Sequence, residues 1–411
     1  MVSKRMLQLG TARSVIRELF EYGNQRAKEI GRENVFDFSL GNPSVPAPDA
    51  VNENAIRILK EQPDVIHCYT SAQGDAAARE RFAQSLNRRF AADYTADDFY
   101  ITVGAAASLC CVFNGLTCPG DEFIVFAPYF PEYKVFIEGA GAKMVLIPPE
   151  TEGFQIDFDA FEKALSPNTK GVVVNSPNNP SGVVYSRATL ERLAEILRSK
   201  EQAYGHPIYL ISDEPYREIA FAGVEVPWIP HIYDDTIVCY SFSKSLSLPG
   251  ERLGYVLVPG KAADSREVYA AVAGAGRSLG YVNAPSLFQQ VTSLCCDMTS
   301  DLSVYEENCA LLARYPYLFR RDFPPFEELP IRFYPYDDNG YLPFDRKSGV
   351  FSDYVNFNTP VVDRNFFHDL EQPVLAADVY SQYQLEYLND SVRKSEWVGR
   401  ENHIYLHYTD W

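Results

Sequence analysis

Lys244 stands between two serines in SFSKSLSLPGERLGY (241–255), with Arg252 eight residues further on. A lysine amine attacks an aldehyde only when unprotonated, and burial beside another positive charge moves it toward that state. An apolar strand pattern, TIVCYSFS, leads into Lys244, and Arg252 supplies the neighbouring charge. The stretch has two readings: a site where the lysine holds an aldehyde-bearing ligand, and an ordinary exposed lysine among surface polar groups.

If that aldehyde is pyridoxal phosphate, four further groups are needed: a phosphate cradle, a partner for the pyridine nitrogen, donors to the phenolic oxygen and a flat group against the ring. For the phosphate, Ser241 and Ser243 offer hydroxyls and Arg252 a charged fork. GAAAS (104–108) opens a helix with unobstructed amides at Gly104, Ala105 and Ala106. Asp213, closing the apolar strand PIYLIS, is placed to keep a pyridine nitrogen protonated. Tyr216 and Asn179, from DEPY and NNPSG, are donors toward the phenolic oxygen, and Phe130 in APYFPEY is the stacking candidate. Each motif alone has an ordinary reading: NNPSG as a turn, Asp213 as a helix cap, Tyr216 and Phe130 as core aromatics.

These groups need a frame that brings them together. From about residue 95 to 260, short β-branched runs alternate with helical patterns, which predicts an α/β fold with a mainly parallel sheet flanked by helices. The expected strands are FYITVG, DEFIVFAP, AKMVLIP, GVVVNSP, PIYLISDE, TIVCYSFS and LGYVLVP, and TLERLAEILRSKEQAYG reads as an amphipathic crossover helix. The polar clusters fall at strand ends, where such sheets bind ligands.

In order and spacing, SLGNP (39–43), YTSAQGD (69–75), GAAAS, APYFPEY, NSPNNPSG, SDEPY and SFSKSLSLPGERLGY resemble the fold type I, class I and II pyridoxal-phosphate aminotransferases, close to the aspartate aminotransferase branch. The resemblance covers about residues 36–308. It implies a large cofactor-binding domain, 46–299, with helices on both sheet faces, and a smaller α+β domain made of 1–45 and 300–411. It implies Lys244 as the residue that carries pyridoxal 5'-phosphate covalently, Asp213 as the pyridinium partner, and Asn179 and Tyr216 as ligands of the phenolic oxygen. Ser241 and Arg252 become phosphate ligands, and Tyr69 reaches the phosphate of a neighbouring subunit, which implies a homodimer. Lys244, Asp213 and Tyr216 are then the catalytic set. Gly41, Asn179 and an arginine of the small domain meet the substrate.

After about Leu312 the chain departs from the family. Arg393, in SVRKS, is nearest to the arginine expected to clamp the substrate α-carboxylate, with Arg400 in VGREN second. The segment is either a diverged small domain or sequence out of register with the family, through a shifted reading frame or a fusion. Composition and periodicity changing together at one point speak for the second.

The expected activity is amino transfer between an amino acid, aspartate among the candidates, and a 2-oxo acid. A β-lyase, decarboxylase or synthase on the same cofactor, a cofactor-binding but impaired homologue, and an amino-acid-sensing regulator remain as other readings. The net charge of −18 over 411 residues argues against nucleic acid as a partner. No apolar run approaches the roughly 20 residues of a membrane helix and the start lacks a signal-peptide core, so a cytoplasmic protein is expected. The eight cysteines never form CxxC, which predicts buried free thiols rather than a zinc site or disulfides.

Overall fold

The computed structural model describes residues 2–11, 15–32, 35–38, 41–149, 153–220 and 223–306, and the short strands 331–332, 361–362 and 404–407. The chain divides into two compact units, 43–306 and 1–42 with 307–411. In the second unit, strand β1 (Val35–Phe38) pairs in parallel with Ile404–His407, and Ile331–Arg332 pairs antiparallel with Val361–Val362.

The first unit is built on a seven-stranded sheet. Its strands are β2 (Phe99–Thr102), β3 (Glu122–Phe126), β4 (Lys143–Ile147), β5 (Thr169–Asn175), β6 (Tyr209–Asp213), β7 (Thr236–Ser241) and β8 (Gly254–Leu257). They are arranged in the order β2-β8-β7-β6-β5-β3-β4. All seven expected strands form, and the expected crossover helix runs Arg187–Tyr204, capped by the Ser186 hydroxyl accepting from Thr189 N. The pairs from β4 through β7 are parallel, while β8 lies antiparallel between β2 and β7.

Because side chains alternate across a strand, each run feeds two cores. Phe123 and Val125, Val173, Tyr209 and Ile211, Ile237 and Cys239 face helices Ala105–Leu116, Glu132–Gly139 and Ser265–Leu279. Their alternates Ile124, Val172, Val174 and Leu210 face helix Arg187–Tyr204, and Phe99, Ile101, Val238 and Tyr240 face helix Ala76–Phe90. Full burial of one such side chain contributes about 1.5–3 kcal/mol, so the sheet is a firm base for groups at its edge.

Among the described residues seven cysteines are free thiols. Burial holds for Cys111, Cys239 and Cys295, but Cys68 and Cys118 are exposed. Both sit outside the apolar elements, Cys68 in a turn after helix Asp49–Glu61 and Cys118 in the tight loop that Asp121 closes by accepting from Cys118 N. No helix among the described residues is long and apolar enough to cross a membrane.

Candidate active site

The ends of β2, β3, β5, β6 and β7 and the start of β8 lie on one edge of the sheet, because the antiparallel β8 begins where its neighbours finish. Strand β7 stops at Ser241, and a four-residue helix, Phe242–Ser245, carries Lys244. The Ser241 hydroxyl caps it, accepting from Ser243 N at 3.0 Å, and lies 2.6 Å from the Ser243 hydroxyl. Buried Phe242, whose N–H reaches Leu253 O, anchors this turn to the core. Lys244 is half-buried. Burial, then the adjacent Arg252 guanidinium, hold its amine below the ordinary lysine pKa.

Arg252 itself sits against the N-terminus of helix Ala105–Leu116. A Cβ at Gly104, the residue before that helix, would stand 3.0 Å from Arg252 Nη2. Gly104 has φ +90°, a conformation glycine adopts without cost. Gly254 sets the approach: a Cβ there would lie 2.2 Å from Tyr240 O and 3.1 Å from Gly104 Cα. The first-turn amides of Ala105 and Ala106, which no side chain caps, thus share one corner with a guanidinium.

Asp213 closes β6, buried, opposite Asn175 on β5 and Cys239 on β7. The Tyr133 hydroxyl donates to Asp213 Oδ2 at 2.5 Å, and the buried Oδ1 has no partner among the described residues. Burial pushes this carboxyl up to about 7 even though the Tyr133 bond pulls it down. Asn175 Nδ2 donates to Asp213 O at 2.8 Å, and its Oδ1 accepts from Asn179 N at 2.7 Å. Asn179 is in turn hydrogen-bonded to the Tyr216 side chain, whose phenol burial and the nearby Asp213 push up to about 12.

The turn bearing Tyr216 is fixed from below. The Ser212 hydroxyl donates to Glu214 Oε1 at 2.6 Å, and Arg217 binds Glu214 in a fully buried pair. The same guanidinium donates to Val226 O and Pro227 O and lies 4.8 Å from the Trp228 ring centre. A buried pair of this kind, with its donors also satisfied, resists displacement.

Lys244, Arg252, Ser241, Ser243 and the Gly104–Ala106 turn are thus one cluster, and Asp213, Asn179 and Tyr216 a second on the adjoining strand ends. Phe130 is half-buried with its ring edge-on to Tyr133 at 5.6 Å. Tyr69 is 92% exposed on the single chain. Gly41 belongs to the other unit. Arg393 and Arg400 lie outside the described residues. Sequence reasoning passed over Tyr133 and Asn175, although each stands inside a motif already singled out, APYFPEY and NSPNNPSG. Among the described residues no group of three His, Cys, Asp or Glu side chains is placed to hold a metal ion.

Residues 33–302 match the family described as aminotransferase class I and II. The chain belongs to this family. Over 240 residues this class I and II aminotransferase-family chain is 35% identical to a probable aspartate/prephenate aminotransferase of Thermus aquaticus, covering 57% of this chain and 60% of that one. It is 32% identical over 268 residues to an aspartate aminotransferase of Thermotoga maritima, covering 64% and 67%. Among solved structures it is similar to an amino transferase from Eubacterium rectale, with 54% identity, a TM-score of 0.74, and 77% of this chain and 80% of that chain covered. The match thus spans about 60% of the length of the Thermus aquaticus relative.

Proposed function

We propose that this chain is a pyridoxal 5'-phosphate-dependent aminotransferase that moves an amino group between an amino acid and a 2-oxo acid. The observation that carries the reading is Asp213: a buried carboxylate with one oxygen held by Tyr133 and the other without a partner among the described residues, on the strand beside the one that leads to Lys244. A buried acceptor without a donor is costly unless a ligand supplies one, and a protonated ring nitrogen does. The corner formed by Arg252, Ser241, Ser243 and the Gly104, Ala105 and Ala106 backbone suits the phosphate. Asn179 and Tyr216 suit the phenolic oxygen, and Phe130 the ring face.

Bound there, the cofactor supplies an electron sink that stabilises negative charge at the substrate α-carbon. The protein's part is to hold and move protons. Asp213 keeps the ring nitrogen protonated by presenting an anionic acceptor in a dry setting. Lys244 Nζ, its pKa lowered, accepts the proton from the substrate α-carbon and returns it. The Tyr216 phenol remains a donor at neutral pH because burial raises its pKa.

Gly41, Asn179 and Arg393 are our candidates for the substrate carboxylate. We assign 46–299 to the cofactor-binding domain and 1–45 with 300–411 to the smaller one. The exposed Tyr69 supports a homodimer in which it reaches the partner's phosphate, and the free thiols support a cytoplasmic setting. Aspartate aminotransferases among the relatives make aspartate the first donor to try.

The test is to load the protein with pyridoxal phosphate, add aspartate, glutamate or alanine, and follow its visible absorption together with oxo-acid release. Conversion of the cofactor to its amine form with equimolar oxo acid is expected. Pyruvate and ammonia released from a β-substituted amino acid such as serine, without that conversion, would make the protein a lyase, and failure to bind the cofactor would end the proposal.

A further inference from the structure

Two turns bring the reactive amine and the phenol to the site: 242–245 with Lys244, and 214–218 with Tyr216. They arise from different strands, with Tyr216 and Lys244 28 residues apart in sequence. One side chain bonds to both. Tyr240, on β7, is buried with its ring stacked on Tyr255 at 5.0 Å. Its hydroxyl lies 2.8 Å from Ser245 Oγ and donates to Glu218 Oε2 at 3.0 Å.

Each end of this bridge is itself held. Ser245 directly follows Lys244, and its carbonyl accepts from Ser300 N at 2.7 Å. Glu218 lies two residues after Tyr216, and its Oε1 accepts from Arg89 Nη2 at 2.6 Å. The neighbouring Arg217 is locked to Glu214, Val226 O and Pro227 O, so the turn has little freedom of its own. A carboxylate that accepts from both Arg89 and a phenol is a satisfied, low-mobility anchor. Burial raises the Tyr240 pKa well above its ordinary value, so the phenol remains protonated and able to donate to Glu218.

We propose that Tyr240 is a positioning residue that sets Lys244 relative to Tyr216 by bridging Ser245 and Glu218. It touches neither substrate nor cofactor and acts through its two neighbours. This inference rests on the functional reading above, in which Lys244 and Tyr216 work on the same ligand. A shift of about 1 Å between reacting groups costs on the order of 100-fold in rate. Loss of a hydrogen-bonding support behind such groups costs about 10–100-fold in metal sites, the nearest measured analogue.

The test compares Tyr240→Phe, which keeps the ring and its stack on Tyr255, with Tyr233→Phe. Tyr233 is also a buried hydrogen-bonding phenol, bound to Glu201 and Ile208 O where β6 begins, at the far edge of the sheet. Both changes should lower the melting temperature. Tyr240→Phe alone should reduce kcat about 10–100-fold with KM within threefold, and slow the capture of pyridoxal phosphate on Lys244 as read by borohydride trapping. Ser245→Ala should reproduce this, and combining it with Tyr240→Phe should add little, because both cut one bridge. Should Tyr240→Phe not fold, Ser245→Ala, which deletes one oxygen, carries the same comparison. Unchanged trapping and kcat in Ser245→Ala or in a folded Tyr240→Phe would overturn the proposal. Wild-type protein that traps no cofactor on Lys244 would instead overturn the functional reading beneath it.

Discussion

The Tyr133 hydroxyl donates to Asp213 Oδ2 at 2.5 Å, and Asp213 Oδ1, also buried, has no protein partner among the described residues. The two oxygens of one carboxylate are thereby given different tasks. One is fixed by the protein, which sets the plane of the group, and under the proposed function the other accepts from the cofactor. Tyr133 comes from the start of helix Glu132–Gly139, 80 residues earlier in the chain.

Replacing Tyr133 with Phe should therefore weaken cofactor binding without unfolding the protein. A hydrogen bond to a charged group contributes about 1.5–3 kcal/mol, so a rise in the cofactor Kd of roughly 10–100-fold is expected by equilibrium titration. An unchanged Kd would mean that Asp213 keeps its place by packing alone.

The pH dependence of stability offers a second check. In the folded, cofactor-free chain burial raises Asp213 to about 7, against about 3.9 for an unfolded aspartate. Its folded pKa is the higher one, so between these values the folded state retains a proton that the unfolded state has lost. Stability therefore falls as pH rises through that window. Asp213→Asn removes the effect, and its unfolding free energy relative to wild type should increase by about 3 kcal/mol between pH 5 and pH 8 in denaturant titrations. A constant difference across that range would show that Asp213 ionises freely.

Arg252 has two effects that one substitution separates. Arg252→Ala removes a charged fork from the Gly104 corner and should raise the cofactor Kd about 10–100-fold. It also removes the charge that helps depress Lys244, so the pH at which Lys244 takes up cofactor should move higher. Titrations at several pH values read both, and a variant with neither change would place Arg252 outside the site.

Gly254→Ala tests the geometry that carries this corner. The added Cβ would fall 2.2 Å from Tyr240 O, so β7 and β8 must part or shift. Overpacking of this kind costs about 1–3 kcal/mol, measurable by chemical denaturation, and cofactor affinity should fall with it. Wild-type stability and affinity together would show that the strand pair gives way easily.

The sequence by itself determined the seven strands, because β-branched runs with turn residues at their ends leave little choice of element. It also determined which residues stand at those ends, Lys244, Asp213, Asn179, Tyr216 and Arg252 among them, since a motif keeps its place relative to its strand. Tertiary structure alone decided what those residues do to one another. Nothing local in APYFPEY says that Tyr133 meets a carboxylate 80 residues away, or that Tyr240 and Glu218 touch. The placement of β8 between β2 and β7 brings Arg252 to Gly104, and strand order is set by how the sheet packs rather than by any one run. The shifted pKa values of Asp213 and Lys244 are likewise tertiary properties, because desolvation depends on everything packed around a group.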